Sequence, residues 1–210
     1  TLGGVCLNVG CIPSKALLHV AKVINEADEM SHHGVSFGKP NLDIDKIRDF
    51  KSGVVGKLTK GLDGLAKQRK VAKIQGMAKF TSPYTIEIDT AEGKKVVRFK
   101  NAIIASGSHS FKVPGFPFDD PRVIDSTGAL LLESVPEKML VVGGGIIGLE
   151  MAEVYGTLGS KITVVELGDG LIPGADRDVV KVLENRIKKR YDAILTKTKC
   201  AKVEAKADGL

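Results

Sequence analysis

Apolar positions change their period twice along the chain, and each change marks a change of element. From Pro13 to Met30, Ala16, Leu17, Val20, Ala21, Ile24 and Ala27 recur at three- and four-residue steps. They follow a proline suited to a first helical turn, which predicts a helix with one broad apolar face. Ile47, Phe50, Val54, Leu58, Leu62 and Leu65 form a second stripe and predict a helix over Asp45–Lys70. The period then shortens. Val71–Phe80, Tyr84–Asp89 and Val96–Ser106 are predicted strands, separated by the turn chemistry of "TSP" and "TAEG".

From Lys138 the two periods alternate. "KMLVVGGG" is a buried strand entering a glycine turn, and "IIGLEMAEVYGTLG" is a helix closed by Gly159. "KITVVE" is the next strand and Asp176–Arg190 the next helix. Strand, helix, strand, helix predicts an α/β fold with a parallel sheet and crossover helices. The segment Ser134–Lys138, "SVPEK", is the expected domain boundary, dividing 1–134 from 135–210.

The glycine turn adds chemistry to this pattern. Gly143, Gly145 and Gly148 satisfy G-x-G-x-x-G between a strand and a helix, and Glu166 ends the following strand. The first glycine permits the tight turn, the second lets a pyrophosphate approach the backbone, and the third lets helix and strand pack closely. The helix start offers free N–H groups and partial positive charge to phosphates. Glu166 can accept from both ribose hydroxyls and would repel a 2′-phosphate, which favours NAD over NADP.

Composition narrows the classes. The 210 residues are 43% hydrophobic and 27% charged, ordinary for a globular chain with a core. The net charge of +6 comes from basic residues interleaved with acids, as in "RDVVKVLENRIKKR", and there is no tryptophan, so no nucleic-acid platform is expected. No run approaches eighteen consecutive apolar residues, so no membrane span is expected. "TLGGVCLNVG" has neither the basic region nor the apolar core of an export signal. Three cysteines fit a reducing compartment: cytoplasm, or alternatively the mitochondrial matrix.

Two of those cysteines, Cys6 and Cys11, are five positions apart in "CLNVGCIPSK". Zinc would need a second ligand pair, and His19, His32, His33, His109 and Cys200 form none. A staple across so short a loop gains little. Residues five apart in a regular helix have Cα atoms roughly 8–9 Å apart, beyond disulfide reach, so a bonded pair needs a break that Gly10 allows. A redox dithiol remains. Cys11 at a helix start, with Lys15 nearby, is suited to thiolate chemistry. Cys200 reads as a half-buried strand residue.

"LGGVCLNVGCIPSKALLH" resembles the active-site region of the flavoprotein disulfide reductases. Glutathione and mercuric reductases share its C-x-x-x-x-C core, whereas Leu7, Ile12, Ser14 and Glu166 fit the dihydrolipoamide branch better. The resemblance runs on through "NAIIASGS", "VIDSTGAL" and "VVGGGIIGLE" to "VEAKADG". It implies a Rossmann-like FAD/NAD(P)-binding architecture of two domains, 1–134 belonging to the FAD domain and 135–210 to the NAD domain.

The resemblance also implies roles. Cys6 would be the interchange thiol and Cys11 the charge-transfer thiolate facing the flavin. Lys15, one turn after Cys11, would lie near the flavin and pair with Glu150. Thr1, Gly3 and Gly4 would meet FAD through their backbone, as would Ala78 in the Gly76–Phe80 turn; "IIASGS" resembles a strand-end A-T-G-S motif, with Ser106 keeping the threonine's hydroxyl and Gly107 beside it as further FAD contacts. NAD would contact Gly143, Gly144, Gly145, Ile146, Ile147, Gly148 and Glu166, with Cys200 near its adenine. The implied activity is NAD-dependent reoxidation of protein-bound dihydrolipoamide. The implied partners are lipoyl domains of 2-oxo acid dehydrogenase complexes, the glycine-cleavage lipoyl protein and a second copy of the full-length chain. Rivals are another disulfide reductase, mercuric or glutathione, or a non-catalytic nucleotide- or zinc-binding module. An earlier glycine fingerprint, a late G-D motif and a C-terminal His–Glu pair have no counterpart here, so the sequence is expected to be an internal fragment, inactive alone. His109 reads as a loop residue.

Overall fold

The computed structural model describes residues 1–210 and begins with a step between two helices. Helix α1, Gly4–Val9, stops at Gly10, whose φ of −144° and ψ of −119° leave helical space. Helix α2, Cys11–Glu29, starts directly behind it and ends in a single 3-10 turn, Met30–His33. Helix α3, Ile44–Gln68, is capped by Asp43, whose carboxylate accepts from the Lys46 N–H at 3.0 Å. Both long helices match the apolar stripes to within two residues at each end.

The middle of the chain departs further from expectation. Strands β1, Met77–Ser82, β2, Thr85–Thr90, and β3, Gly93–Arg98, form an antiparallel meander with Ala78 opposite Ile88 and Thr85 opposite Arg98. The strand expected from Val71 begins only at Met77, and the one expected to reach Ser106 ends at Arg98. Residues 99–125 hold no helix or strand, and Ile103 and Ile104 are 94% and 75% exposed. An apolar run becomes a strand only beside another strand that completes its ladder, and none flanks this one.

A short helix not anticipated from the pattern, α4, Ser126–Leu131, follows, with the Asp125 carboxylate accepting from Gly128 N–H at 3.0 Å. Its last carbonyls are met by α3. Lys51 donates to Leu130 at 2.8 Å, and Arg48 donates to Leu132 and Glu133. Cations at a helix C-terminus satisfy orphan carbonyls and complement the dipole.

The alternating half folds as a parallel sheet. Strands β4, Lys138–Val142, β5, Lys161–Val165, and β6, Ala193–Leu195, lie in the order β4-β5-β6, with Val141 opposite Val164 and Val164 opposite Ile194. Helix α5, Ile146–Leu158, and helix α6, Arg177–Ile187, make the crossovers. The helix expected to reach Arg190 stops at Ile187, and the three-residue β6 carries too little pattern to be foreseen.

The main core does not respect the Ser134–Lys138 boundary. It joins Leu17 of α2 and Ala129 and Leu130 of α4 to Val154 and Tyr155 of α5, Ile162 and Val164 of β5, and Val180 of α6. The buried leucine, isoleucine and valine side chains among these contribute about 1.5–3 kcal/mol each. The Tyr155 hydroxyl adds direction by donating to the Ala129 carbonyl at 2.8 Å. This packing also bears on the run Gly4–His33, which has the length of a membrane span and contains an 18-residue window with a mean hydropathy of 1.3. The run is broken at Gly10, and Leu17 and Ala21 are buried in contacts within the fold, as in a core helix of a globular protein.

Candidate functional site

Two helix starts carry the candidate chemistry, and each is entered through a glycine. The first is the loop before α5. Gly143 has φ +108°, a conformation that disfavours any side chain, and its N–H donates to Val165 at 2.8 Å. A Cβ on Gly148 would stand 2.5 Å from the Gly143 carbonyl oxygen and 3.1 Å from the Val141 side chain, so this position is where helix and strand approach. A Cβ on Gly145 would meet nothing within 4 Å. The second glycine therefore faces open space, which is the space a pyrophosphate would fill. Leu149 N–H, bonded to the Gly145 carbonyl at 3.1 Å, closes the first turn. The exposed Ile146 and Ile147 precede it with N–H groups that have no intrahelical acceptor.

Glu166 fastens this loop. Its Oε2 accepts from Gly144 N–H at 2.7 Å and its Oε1 from Gly168 N–H at 2.6 Å. Each oxygen retains acceptor capacity, so the carboxylate can hold the loop and still receive ribose hydroxyls. The Gly144 carbonyl is held in turn by Ile172 N–H at 2.8 Å. Gly143, Gly144, Gly145, Ile146, Ile147, Gly148 and Glu166 thus come together, as the spacing predicts.

The second helix start is the cysteine step. Cys6 lies in α1 and Cys11 is the first residue of α2, both exposed as free thiols. Gly10 is required between them because a Cβ there would stand 2.9 Å from the Val5 carbonyl oxygen and 3.1 Å from the Cys6 Cα. The break that two neighbouring cysteines need is therefore present. Hydrogen bonding with Cys11 holds the Cys6 thiol above its ordinary pKa, with a smaller contribution from lost solvent. The Lys15 charge pulls it back only in part.

The two starts lie side by side. The Ser14 hydroxyl, in the first turn of α2, donates to Glu150 Oε2 in α5 at 2.6 Å. Farther along, Asn25 of α2 donates to Thr157 of α5 at 3.0 Å. The helices therefore run in the same direction with Cys11 and the glycine loop at one end. By helical rise, Cys11 lies about 4.5 Å along the axis beyond Ser14, and Gly145 about 7.5 Å beyond Glu150. Two helix N-termini with their partial positive charges meet there, an environment for phosphates and for thiolate.

One expected pair is not formed. Lys15 is exposed and makes no ion pair with Glu150; Ser14 takes that carboxylate instead. Successive residues on a helix are about 100° apart, so the face that carries Cys11 and Lys15 is not the one against α5. The remaining candidates are scattered over open surface. Thr1, Gly3, Gly4, Ala78, Ser106 and Gly107 are all exposed. Of the last two, Gly107 faces α1, since a Cβ there would stand 3.6 Å from the Val5 side chain. Cys200 is not in a strand; it lies in irregular chain, its thiol 3.9 Å from the Lys202 carbonyl oxygen. Sequence reading did not foresee Ser14–Glu150, Asn25–Glu153 or Arg190–Asn25 as contacts between the halves, because the two members of each are 128 or more positions apart.

The whole chain, residues 1–210, matches the family described as pyridine nucleotide-disulphide oxidoreductase. It is 60% identical over 210 residues to a dihydrolipoyl dehydrogenase of Vibrio cholerae, covering 100% of this chain and 44% of that protein. It is 52% identical to a dihydrolipoyl dehydrogenase of Haemophilus influenzae, with the same coverage of each. A leghemoglobin reductase of Glycine max is 42% identical over 212 residues, covering 100% of this chain and 40% of that one. Among solved structures, the Cu(II) complex of the HOCl-induced flavoprotein disulfide reductase RclA from Escherichia coli superposes with a TM-score of 0.78 at 26% identity. That match covers 97% of this chain and 43% of the other. The chain spans less than half the length of the curated relatives it matches.

Proposed function

The chain belongs to the pyridine nucleotide-disulphide oxidoreductase family, and from that membership we propose that it forms the dithiol- and dinucleotide-bearing part of a dihydrolipoyl dehydrogenase. The reaction oxidises a dihydrolipoyl group with NAD⁺. Two substrate S–H bonds give one S–S bond; two electrons and one proton go to NAD⁺ as a hydride equivalent, and the second proton goes to solvent. The substrate first meets the Cys6–Cys11 disulfide. A substrate thiolate attacks Cys6 Sγ and displaces Cys11, then the second substrate sulfur displaces Cys6 and closes the lipoyl ring. Bound beside Cys11, FAD would supply the two-electron chemistry that links the cysteine pair to NAD⁺.

The observation that carries this reading is the parallel pair α2 and α5, which sets the cysteine step and the glycine loop at one end, joined through Ser14 and Glu150. Cys6, exposed on α1, receives the substrate, and hydrogen bonding with Cys11 holds its thiol above the ordinary value. In this reading Cys11 opens α2 on the flavin side, Lys15 and Glu150 stand on α2 and α5 beside it, and Thr1, Gly3, Gly4, Ala78, Ser106 and Gly107 are the residues that would contact FAD. Gly143–Gly148 cradle the NAD pyrophosphate, and Glu166 selects NAD over NADP through the ribose hydroxyls. The dihydrolipoyl dehydrogenase relatives support the proposed partners, lipoyl domains of 2-oxo acid dehydrogenase complexes and the glycine-cleavage lipoyl protein. A full-length homodimer in the cytoplasm completes the proposal.

The full-length protein tests it. Expected are a yellow flavoprotein and NADH formation that depends on dihydrolipoamide and is lost in both Cys6→Ser and Cys11→Ser. Reduction of glutathione disulfide or mercuric ion without activity on dihydrolipoamide would overturn the substrate assignment.

A further inference from the structure

Beyond the Ser14–Glu150 contact, a second polar cluster ties α2 to the parallel-sheet half. Arg190, in the turn after α6, extends its guanidinium between the two helices. Nη1 donates to Glu153 Oε1 of α5 at 2.7 Å, and Nη2 donates to Thr157 Oγ1 of α5 at 2.8 Å and to Asn25 Oδ1 of α2 at 3.1 Å. Asn25 returns the contact, its Nδ2 donating to Glu153 Oε1 at 2.9 Å and to Thr157 Oγ1 at 3.0 Å. The Arg190 and Glu153 side chains are only 27% and 23% exposed, so this is no loose surface pair. Every member has at least two partners within the cluster.

We propose that Arg190 is a positioning residue for electron transfer between the halves, setting the register of α2 against α5 so that the cysteine step and the glycine loop keep their separation. The physical need is specific. The apolar seam around Leu17 and Val154 is strong but non-directional, so it does not by itself fix how one helix is turned against the other. A planar fork with three acceptors on two helices supplies that direction. Ser14–Glu150 fixes the near end of the helix pair. The Arg190 cluster fixes the far end, eleven residues or about 16 Å along α2, and so opposes rotation about the near contact. None of these groups reaches the cysteines or the glycine loop.

The inference rests on the dihydrolipoyl dehydrogenase reading, and the two fail differently. In the full-length flavoprotein, two steps are timed separately: reduction of the enzyme by dihydrolipoamide alone, which involves the cysteine side, and reduction of NAD⁺ by enzyme already reduced, which spans both sides. NAD⁺ affinity is measured alongside by titration. In Arg190→Met the first step and NAD⁺ affinity stay within about twofold of wild type, while the second step falls about tenfold or more, as misplacement of reacting groups by an ångström or less allows. Asn25→Ala, which removes only the α2 side of the cluster and keeps the Arg190–Glu153 pair, reproduces the split. Equal losses in both steps, an unchanged second step, or a split in Arg190→Met that Asn25→Ala lacks would each overturn the inference. Wild-type protein that dihydrolipoamide does not reduce would overturn the parent reading instead.

Discussion

The glycine loop and the cysteine step are both glycine-entered helix starts, yet one is built and the other is merely placed. The loop before α5 is held by a strand on one side, by Glu166 on another and by the Ile172 N–H on a third. All these partners lie within about thirty residues of Gly143 in sequence. The cysteine step is held only by contacts within its own turns, Gly10 against α1 and Cys6 against Cys11, and both thiols are exposed. Its position depends on α2 beneath it, which is anchored in a core shared with α4 and α5. A pyrophosphate cradle can be folded from one β-α-β unit; a dithiol exchange site must stay open to a substrate on one side and a cofactor on the other.

The sharpest way to break the contrast is to loosen that anchor. Leu17 is 1% exposed and lies six positions after Cys11 in the same helix. Leu17→Ala is expected to cost about 2–5 kcal/mol in denaturant unfolding. An effect below 1 kcal/mol would show that the cysteine step stands without the shared core.

Next come the glycines themselves. Gly148→Ala puts a methyl 2.5 Å from backbone, and Gly10→Ala puts one 2.9 Å from backbone, so both are expected to destabilise by about 1–3 kcal/mol, Gly148 more. Gly145→Ala meets open space and keeps a φ of −77° that alanine adopts. It should leave unfolding unchanged while weakening NADH binding, measured by fluorescence titration. A destabilised Gly145→Ala with normal binding would remove the cradle from that face of the loop.

Two buried tyrosines separate placed from satisfied groups at smaller scale. Tyr155 donates to Ala129 across the halves, and burial, with a lesser push from Glu133, raises its pKa to about 12. Tyr191, also buried, has a hydroxyl without a partner. Tyr155→Phe is expected to cost about 1 kcal/mol, and Tyr191→Phe to be neutral or stabilising, because it removes an unpaired polar group from the interior. Equal costs for the two would mean that the hydrogen bond across the halves contributes nothing of its own.

How much of this is legible in the sequence follows the same division. The apolar stripes of α2 and α3 and the strand–glycine–helix run of β4 and α5 are local, and their ends fall close to expectation. The glycine loop with Glu166 is legible for the same reason: its contacts lie within one β-α-β unit. Ile103 and Ile104 mislead because period alone cannot say whether a neighbouring strand exists. Helix α4 had a signal in Asp125, two residues before Thr127 in "DSTG", but six residues show no periodicity. Lys15 follows Cys11 by one turn of α2, which the spacing of four residues dictates. Which face meets α5 is a matter of tertiary packing, and it selects Ser14, whose partner is 136 positions away.

The smallest expected effect is on reactivity, and it tests whether the cysteine step is a pair or two independent thiols. Thiolate is the reactive form, so a thiol held above its ordinary pKa reacts slowly at neutral pH and gains rate as pH rises through that raised value. Cys6 is so held, chiefly by hydrogen bonding with Cys11. In the reduced chain, alkylation of Cys6 by iodoacetamide, followed by peptide mass spectrometry, should therefore have a rate–pH profile displaced to higher pH than that of an ordinary thiol. Cys11→Ala removes the partner and leaves Lys15, whose charge favours the thiolate, so the profile should move to lower pH and the neutral-pH rate should rise several-fold. Lys15→Met in the wild-type background should move it the opposite way, and less, because the lysine is the weaker influence. A Cys6 profile indifferent to Cys11 would mean that the two sulfurs share a turn without sharing a proton, and the step would then owe its chemistry to groups brought to it from outside.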